Sequence, residues 1–328
     1  MAIKKLIIAL FFLIILLVVF LGRLKKPATL PTKIQITIGM GYIPNIQFAP
    51  FYVALQKNYF AIEGLDVKFD YGFDTDIIKL LAADKLDFGI GSGDQVILAN
   101  SQNLGIVDFF NWYQKFPVSI TTLAESNINK PEDFIGKTIG LPVNFGASFI
   151  GWQTYVKKNN LPEDKIKVVT IGYTQVAALT EHKVDAVITY SMNEPIQLEN
   201  QNIKINNIQI SDSINFVSNG LLASQKQIDN NPDLVRKFAY AFKKGLEDTI
   251  NNPGQALKIS AKFIPNFDKE NSNLAAKVLD ESIKFWKTDK LGQNDPKQWQ
   301  DSVEIMSKLG LIKTVPKQAL FSNDFIND

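Results

Sequence analysis

The chain contains no cysteine among its 328 residues. This absence excludes a disulfide framework, a thiolate nucleophile, cysteine-ligated metals and a lipid-modified cysteine as a membrane tether. Histidine occurs once, as His182, in a predicted turn just before the run Val184-Asp185, where we expect a surface residue. Because the sequence offers no nucleophile–base pair and no metal-ligating cluster, we expect no catalytic residues, no bound metal and no cofactor.

Arginine is almost as scarce, since Arg23 and Arg236 are the two in the chain and neither lies in a loop that follows a predicted strand. A pocket for a small oxyanion needs cationic side chains or many free N–H groups, so the sequence argues against sulfonate and nitrate as ligands. The net charge is +2, with lysines spread along the whole chain. No basic stripe indicates nucleic acid as a partner.

The overall composition is that of a globular protein. Hydrophobic residues make up 46% and charged residues 21% of the chain, which are ordinary values. A chain of 328 residues is long enough for a substantial core and favours two lobes over one.

The N-terminus carries Lys4 and Lys5 and then an unbroken apolar run over residues 6–21. With Gly22 this run is about 17 residues, or about 25 Å as a helix, just short of a bilayer core of about 30 Å. Small residues spaced for signal-peptide cleavage are missing, because residues 23–27 read Arg-Leu-Lys-Lys-Pro. We predict an uncleaved signal-anchor over residues 1–26, with a cleaved signal peptide as the alternative, followed by a tether over 27–33. Basic residues on both sides give weak orientation.

The rest of the chain is organised around residues 41–54. The alternating run 34–38 predicts a strand, Pro44 ends it, and Pro50 suits the first turn of a helix. The loop between carries Tyr42, Asn45 and Gln47. An aromatic ring and two amides on a loop stiffened by proline suit a flat polar ligand. The alternative is a loop that merely caps the sheet.

A second polar loop follows the predicted strand that ends at Ile90. This loop carries Ser92 between two glycines and then Asp94, just before a predicted helix. Glycines there let the backbone approach a ligand closely, and the helix N-terminus offers free N–H groups. Because the Lys-Ser/Thr pair of a Walker A loop is missing, the sequence gives only weak support for phosphate binding. Asp94 could equally be a helix cap.

A short sequence echo links the two halves of the chain. Residues 85–90 and 183–188 both read lysine, aliphatic, aspartate, two small or apolar residues and isoleucine, each after a predicted helix and before a polar loop. Alternating strands and helices predict two similar lobes with mostly parallel sheets and ligand crevices at the carboxyl ends of the strands. We predict that strands at 118–123 and 216–222 cross between the lobes, and that the helical region 232–312 buries its aromatic residues in the core.

Several motifs together resemble the solute-binding proteins of importers for alkanesulfonates, nitrate, thiamine pyrimidine precursors and riboflavin, a family that includes the thiamine pyrimidine synthases. The likeness covers about residues 34–290 and is nearest to the riboflavin-binding branch. The motifs are Gly41-Tyr42-Ile43-Pro44-Asn45, Tyr52-Val53-Ala54, Tyr59-Phe60, Glu63-Gly64-Leu65-Asp66-Val67, Ile90-Gly91-Ser92-Gly93-Asp94-Gln95, Asn111-Trp112-Tyr113, Phe145-Gly146-Ala147-Ser148, Gly172-Tyr173-Thr174-Gln175 and Ser218-Asn219-Gly220.

The resemblance implies an α/β fold of the type II periplasmic binding protein class, with lobe I at 34–120 and 218–328, lobe II at 121–217 and ligand in the cleft between them. It also implies that closure of the lobes signals to a membrane permease with a cytoplasmic ATPase, the domain being held outside the cytoplasm by its N-terminal transmembrane helix. This chain has no Walker A loop and one apolar span, so it could be the receptor but not the pump.

A flat heterocycle needs aromatic faces and a polar rim. We therefore predict that aromatic and polar side chains at strand ends of both lobes hold the ligand. The stacking candidates are Tyr42, Trp112, Phe145, Tyr173 and Tyr190, and the rim candidates are Asn45, Gln47, Ser92, Asp94, Asn193, Glu194 and Asn219.

Two other functions remain open at this point. The related synthases use a lysine for pyridoxal phosphate, a histidine consumed as substrate and a cysteine-rich iron motif. This chain has no cysteine, and His182 lies away from the candidate loops, so we expect a binding protein rather than an enzyme. A tethered sensor of the same fold is the other alternative, and neighbouring genes for a permease or a signalling protein would distinguish transport from sensing.

Overall fold

A computed structural model describes residues 33–72, 74–212 and 214–326. In this part of the chain, β-strands form two five-stranded sheets. The strands are β1 (Ile34–Gly39), β2 (Leu65–Asp70), β3 (Phe88–Ser92), β4 (Ile106–Asn111), β5 (Val118–Leu123), β6 (Thr138–Leu141), β7 (Lys167–Thr170), β8 (Ala186–Tyr190), β9 (Ile205–Gln209) and β10 (Asn219–Ser224).

Helices cover both sheets and follow most strands. They are α1 (Ala49–Gln56), α2 (Tyr59–Ile62), α3 (Asp74–Ala82), α4 (Gly93–Ser101), α5 (Gly146–Lys158), α6 (Gln175–Thr180), α7 (Glu194–Asn200), α8 (Gln225–Asn230), α9 (Pro232–Asn251), α10 (Pro253–Ser260), α11 (Lys269–Trp286) and α12 (Pro296–Lys308). Short 3₁₀ turns occur at Ile46–Phe48, Ala124–Ser126, Pro131–Phe134, Glu163–Lys165 and Ile210–Asp212.

The two sheets share one layout, and each belongs to one lobe. The first lobe has the strand order β2-β1-β3-β10-β4 and the second has β7-β6-β8-β5-β9. Strand β3 lies parallel to β1, and β8 lies parallel to β6. The expectation of mostly parallel sheets needs correction, because β10 and β5 each arrive from the other half of the chain and pair antiparallel with both neighbours. The sheets are therefore mixed.

The echoed aspartates occupy the same structural position in both lobes. Asp87 accepts a hydrogen bond from the Thr37 backbone N–H through Oδ2 at 2.8 Å and donates its own N–H to the Thr37 carbonyl. Asp185 makes the same two bonds with Thr138, the first at 2.7 Å. Asp87 thus joins the start of β3 to β1, and Asp185 joins the start of β8 to β6 in the same way. The sequence echo reflects this shared β–α–β geometry.

The chain crosses between the lobes in residues 112–117 and 210–218, and the described residues of both segments are irregular apart from one 3₁₀ turn. The predicted crossing strands differ from this, because β5 lies wholly in the second sheet and β10 wholly in the first. Both crossings are fixed by C-terminal helices: the Gln114 N–H donates to the Phe285 carbonyl at 2.7 Å, and the Val217 N–H donates to Ser302 Oγ at 2.8 Å.

The aromatic residues that the helical spacing placed in the core are buried, whereas Tyr240 of α9 is exposed. Phe238, Phe242 and Leu246 on α9 are fully buried, and so are Trp286 and Trp299. Phe242 contacts Phe51 of α1 with ring centroids 4.4 Å apart. This cluster holds α1 against the first sheet and so fixes where the loop before α1 ends.

The predicted signal-anchor over residues 1–26 and most of the predicted tether lie outside the described residues. Within the described ranges, no helix is both long enough and apolar enough to span a membrane.

Asp108, in the middle of β4, is a fully buried carboxyl group. Its Oδ1 accepts hydrogen bonds from Asn294 Nδ2 at 3.1 Å and from the Phe110 N–H at 3.0 Å. Its Oδ2 has no hydrogen-bond partner among the described residues. Burial raises the pKa of Asp108 from 3.8 to about 7, against the opposing effect of the two hydrogen bonds.

This pKa predicts how stability changes with pH. The folded state binds a proton at Asp108 that the unfolded state releases between about pH 4 and pH 7, so this group makes the free energy of unfolding fall as pH rises through that window. Asp108→Asn should remove this loss and raise stability at pH 8 by up to about 4 kcal/mol relative to the natural protein. Urea unfolding at pH 5 and pH 8 measures it. Asp301→Asn, at an exposed carboxylate paired with Lys297, is the control that should show no gain. The prediction would be contradicted by an Asp108→Asn variant whose free energy of unfolding falls between pH 5 and pH 8 as much as that of the natural protein.

Candidate ligand-binding cleft

A cleft lies between the two lobes, where the strand ends that carry the polar loops converge. About 880 Å³ of space lies between the lining residues, part of it open to solvent. Its first-lobe lining is Met40, Gly41, Tyr42, Gln47, Phe48, Ile90, Gly91, Ser92, Trp112, Tyr113 and Asn219; its second-lobe lining is Pro142, Val143, Phe145, Ala147, Ser148, Tyr173, Gln175, Tyr190, Asn193 and Glu194.

The loop after β1 supplies the wall that the sequence singled out. Tyr42 and Gln47 line the cleft, whereas Asn45 does not. The Asn45 side chain instead accepts the Gln47 N–H at 3.0 Å and caps the 3₁₀ turn that follows. Asn45 thus shapes the loop and sets the position of Gln47, so its predicted place in the rim is not what the structure shows.

The loop after β3 also differs from its predicted form. Strand β3 continues through Ser92, and α4 begins at Gly93 with no loop between them. Ser92 lines the cleft, but Asp94 lies in the first turn of α4, outside the lining. The Ser92 N–H and hydroxyl both donate to Gln95 Oε1, at 3.1 and 3.3 Å. Ser92 is therefore the N-cap of α4, and Asp94 is a buried residue of its first turn, neither the cap nor part of the cleft lining.

Two aromatic residues at the end of β4 form the inner part of the cleft. Trp112 is 1% exposed and Tyr113 is 3% exposed, and their rings lie 5.0 Å apart in an edge-to-face arrangement. Phe51 and Trp286 support the Trp112 indole from behind. A stacking residue at a strand end is expected to be exposed, but the core holds the Trp112 indole almost fully buried, with one part of its surface facing the cleft.

The second lobe contributes from the ends of β6, β7 and β8. Phe145 directly precedes α5, and Tyr190 ends β8. Asn193 and Glu194 follow at the start of α7. All four side chains line the same cleft as Trp112.

Glu194 is the one charged residue among the lining residues given above. Its Oε2 accepts the Tyr190 N–H at 2.8 Å and its Oε1 accepts Asn193 Nδ2 at 3.1 Å. Burial raises its pKa, and these hydrogen bonds act in the opposite direction. The carboxyl group therefore holds the turn before α7 and gives this side of the cleft an acceptor character. No lysine, arginine or histidine of the described chain lies in the lining.

Side chains of the two lobes touch each other directly across the cleft. Asn219 Nδ2 of the first lobe donates to the Tyr190 hydroxyl of the second at 3.4 Å. The rings of Tyr42 and Tyr173 meet edge to face with centroids 4.8 Å apart. Burial raises the pKa of Tyr42, with Glu194 and Tyr173 adding to the effect and a side-chain hydrogen bond with Asn193 opposing it. The lobes therefore already share contacts through candidate residues.

Ten of the twelve predicted side chains meet in this one cleft, and Asn45 and Asp94 are the two that do not. The candidate set missed several lining residues, of which the main polar and aromatic ones are Phe48, Tyr113, Ser148 and Gln175. Tyr113, Ser148 and Gln175 stood inside the motifs quoted above, one to three residues from a chosen candidate. The motifs therefore indicated these positions, but the sequence at a strand end does not show which of several neighbouring side chains faces the cleft.

The described residues offer no group of three or more histidine, aspartate and glutamate side chains that could hold a metal ion. His182 is exposed, in a turn between α6 and β8 with φ of 53°, and is not part of the lining.

Comparison with known families matches residues 45–256 to the NMT1/THI5-like model. The chain belongs to the NMT1/THI5-like family. The matched range contains the second half of the loop before α1, both crossings and every cleft-lining residue from Gln47 onward.

Named members of this NMT1/THI5-like family include binding proteins and enzymes. The riboflavin-binding protein RibY of Chloroflexus aurantiacus is 38% identical over 309 residues, covering 92% of this chain and 88% of the relative. The formylaminopyrimidine-binding protein of Halalkalibacterium halodurans is 26% identical over 274 residues, covering 81% of each. The 4-amino-5-hydroxymethyl-2-methylpyrimidine phosphate synthase THI11 of Saccharomyces cerevisiae is 23% identical over 254 residues, covering 73% of this chain and 74% of the enzyme.

Solved structures show the same fold at low sequence identity. The periplasmic aliphatic sulphonate binding protein SsuA of Escherichia coli superposes with a TM-score of 0.69 at 14% identity, covering 86% of this chain and 95% of SsuA. A ligand-binding component of an ABC-type import system from Staphylococcus aureus superposes with a TM-score of 0.68, also at 14% identity, covering 89% and 97%. The two-lobe periplasmic-binding-protein fold is confirmed. The chain thus resembles a riboflavin-binding protein in sequence over nearly its whole length and shares its fold with solute-binding proteins.

Proposed function

We propose that this protein is the solute-binding subunit of an ABC importer and captures a flat, neutral nitrogen heterocycle, with riboflavin favoured and a thiamine pyrimidine precursor second. The observation that carries the proposal is the cleft lining: aromatic rings and amides from both lobes surround a space in which the described chain places no cationic side chain. Such a lining suits an uncharged planar ring system and disfavours a small oxyanion.

The chemistry of the lining matches the two parts of such a ligand. Trp112 and Tyr113 offer rigid apolar faces on which a ring system can stack. Gln47, Asn193 and Asn219 offer amides, which meet ring carbonyls and ring N–H groups together. The twelve predicted residues remain proposals for ligand contacts, and the ten that line the cleft are the ones to test.

Riboflavin is favoured over the pyrimidine because of similarity within the family. RibY shares 38% identity over nearly the whole chain, against 26% for the formylaminopyrimidine-binding protein. The similarity to the formylaminopyrimidine-binding protein keeps a thiamine pyrimidine precursor as the second candidate ligand. The synthase activity is a weaker candidate, because this chain has no cysteine and its one histidine lies outside the cleft.

Capture would proceed by closure of the lobes about the crossings at 112–117 and 210–218, with ligand stabilising the shut state by touching both linings. A membrane permease with a cytoplasmic ATPase would recognise the closed form. We propose that residues 1–26 anchor the protein in the cell membrane with the binding domain outside the cytoplasm, and that lobe I comprises about 34–120 and 218–328 and lobe II about 121–217.

A fluorescence titration tests this function. Adding the purified protein to riboflavin should quench flavin fluorescence to a plateau at one molecule per chain, because stacking on an indole or phenol ring quenches the flavin. An excess of nitrate or an alkanesulfonate should not reverse the loss. Unchanged flavin fluorescence at micromolar protein would refute the riboflavin assignment.

A further inference from the structure

Tyr42 and Tyr173 join the two lobes by a direct ring contact. Tyr42 follows β1 of the first lobe, and Tyr173 follows β7 of the second. Their ring planes stand at 86° with centroids 4.8 Å apart, which is a favourable edge-to-face geometry. The contact is made by the protein's own atoms and stabilises the arrangement in which the lobes approach each other.

The same distance rules out a shared stacking role in this arrangement. Aromatic carbons in contact lie about 3.5–4 Å apart, so a planar ligand held between two rings needs about 7 Å between them. The Tyr42 and Tyr173 rings are closer than that. In this arrangement the two rings leave no room for a planar ligand between them.

The pair occupies the solvent end of the cleft. Tyr173 is 39% exposed and Tyr42 is partly buried, whereas Trp112 and Tyr113 at the inner end are 1% and 3% exposed. The Tyr42–Tyr173 contact therefore lies nearer to solvent than the two inner rings.

Each tyrosine directly follows a glycine with a left-handed backbone. Gly41 has φ of 77° and Gly172 has φ of 62°, a region that side chains other than glycine rarely adopt. A Cβ added at Gly172 would meet no atom within 4 Å. Lack of space thus does not explain glycine at 172; its backbone conformation does. Each ring thus follows a glycine just beyond a strand end, a kind of position that can absorb the φ/ψ change of a moving element.

We propose that Tyr42 and Tyr173 form an aromatic gate across the mouth of the cleft, which opens to admit the solute and closes behind it while the inner rings hold the heterocycle. The proposal rests on the proposed binding function of this cleft. The gate sets the rates of association and release, and contributes little to the stacking of the ligand itself.

Stopped-flow fluorescence with riboflavin tests the role of the pair. In full-length Tyr42→Ala, the association and release rate constants should both rise, each by about tenfold, since one edge-to-face contact no longer holds the gate shut. The amplitude of the fluorescence loss should stay near its natural value. Tyr42→Phe keeps the ring and should keep most of the natural rates. Tyr240→Ala, at an exposed tyrosine of α9 outside the cleft lining, is the control and should leave both rates unchanged.

A second readout needs no solute and so separates the gate from the identity of the ligand. Because the chain has no cysteine, Lys68→Cys on β2 and Lys167→Cys on β7 create two unique labelling sites, both exposed and one in each lobe. Energy transfer between dyes on the full-length protein should shift toward longer distances when Tyr42→Ala or Tyr173→Ala is added.

Two results would overturn the gate. The first is an unchanged distance distribution in both alanine variants, whatever the protein binds. The second is a Tyr42→Ala variant with a faster release rate alone and a reduced fluorescence amplitude, which is the behaviour of a stacking residue. If the protein does not bind riboflavin but the alanine variants do shift the dye distance, the riboflavin assignment is wrong and the gate proposal is supported.

Discussion

Trp112→Phe should lose most of the riboflavin fluorescence quenching and bind riboflavin about 10- to 100-fold more weakly, the range expected when a buried aromatic anchor is reduced. The indole is the largest rigid face in the cleft, and Phe51 and Trp286 hold it in place. Phenylalanine offers a smaller face and fills less of the space. The measurement is a fluorescence titration with the riboflavin concentration held below the dissociation constant.

Phenylalanine is preferred to alanine at this position for a reason of stability. Removing a fully buried tryptophan to alanine costs about 3–5 kcal/mol of folding free energy, which would confuse lost binding with lost structure. Trp152→Phe is the matched control, because Trp152 is equally buried but lies outside the cleft lining. It should lower the unfolding midpoint without changing the titration. Equal binding by Trp112→Phe and the natural protein would exclude the indole as the stacking face.

Riboflavin 5′-phosphate should bind at least about 100-fold more weakly than riboflavin. A dianionic phosphate that leaves water needs cationic partners, and the described lining supplies none. Glu194 adds an acidic group at the second-lobe wall. Lumiflavin, which keeps the ring system and lacks the ribityl chain, is the control and should lose far less affinity than the phosphate.

The opposite outcome has a specific structural meaning. Equal affinity for both flavins would show that backbone N–H groups hold the phosphate, and the start of α5 at Ala147 and Ser148 would be the place. The proposal of a neutral solute would then be wrong, although the cleft would remain the binding site.

Local sequence was sufficient where one residue type has one structural use. Asp87 and Asp185 revealed the repeated lobe because each joins the same pair of strands. The prolines after β1 correctly marked a loop between a strand and a helix. The aromatic and amide residues at strand ends reached one cleft because strands that run in the same direction end at the same edge of a sheet.

Other features depend on contacts between distant segments and were not predictable. Whether Trp112 is exposed depends on α11, since Trp286 lies more than 170 positions away in sequence. The antiparallel position of β5 and β10 depends on where the chain crosses, and no local pattern distinguishes a strand that crosses from one that follows a crossing. Asn45 was assigned to the ligand because amides serve equally well as ligand contacts and as caps.

The most direct test of the account is a paired titration of one protein preparation with riboflavin and with formylaminopyrimidine, read by calorimetry. The account predicts that riboflavin binds one molecule per chain and that the pyrimidine binds more weakly to the same site, so that each ligand excludes the other. Tight binding of the pyrimidine without riboflavin binding would contradict the riboflavin assignment. Binding of neither ligand would contradict the central claim that this cleft holds a flat neutral heterocycle.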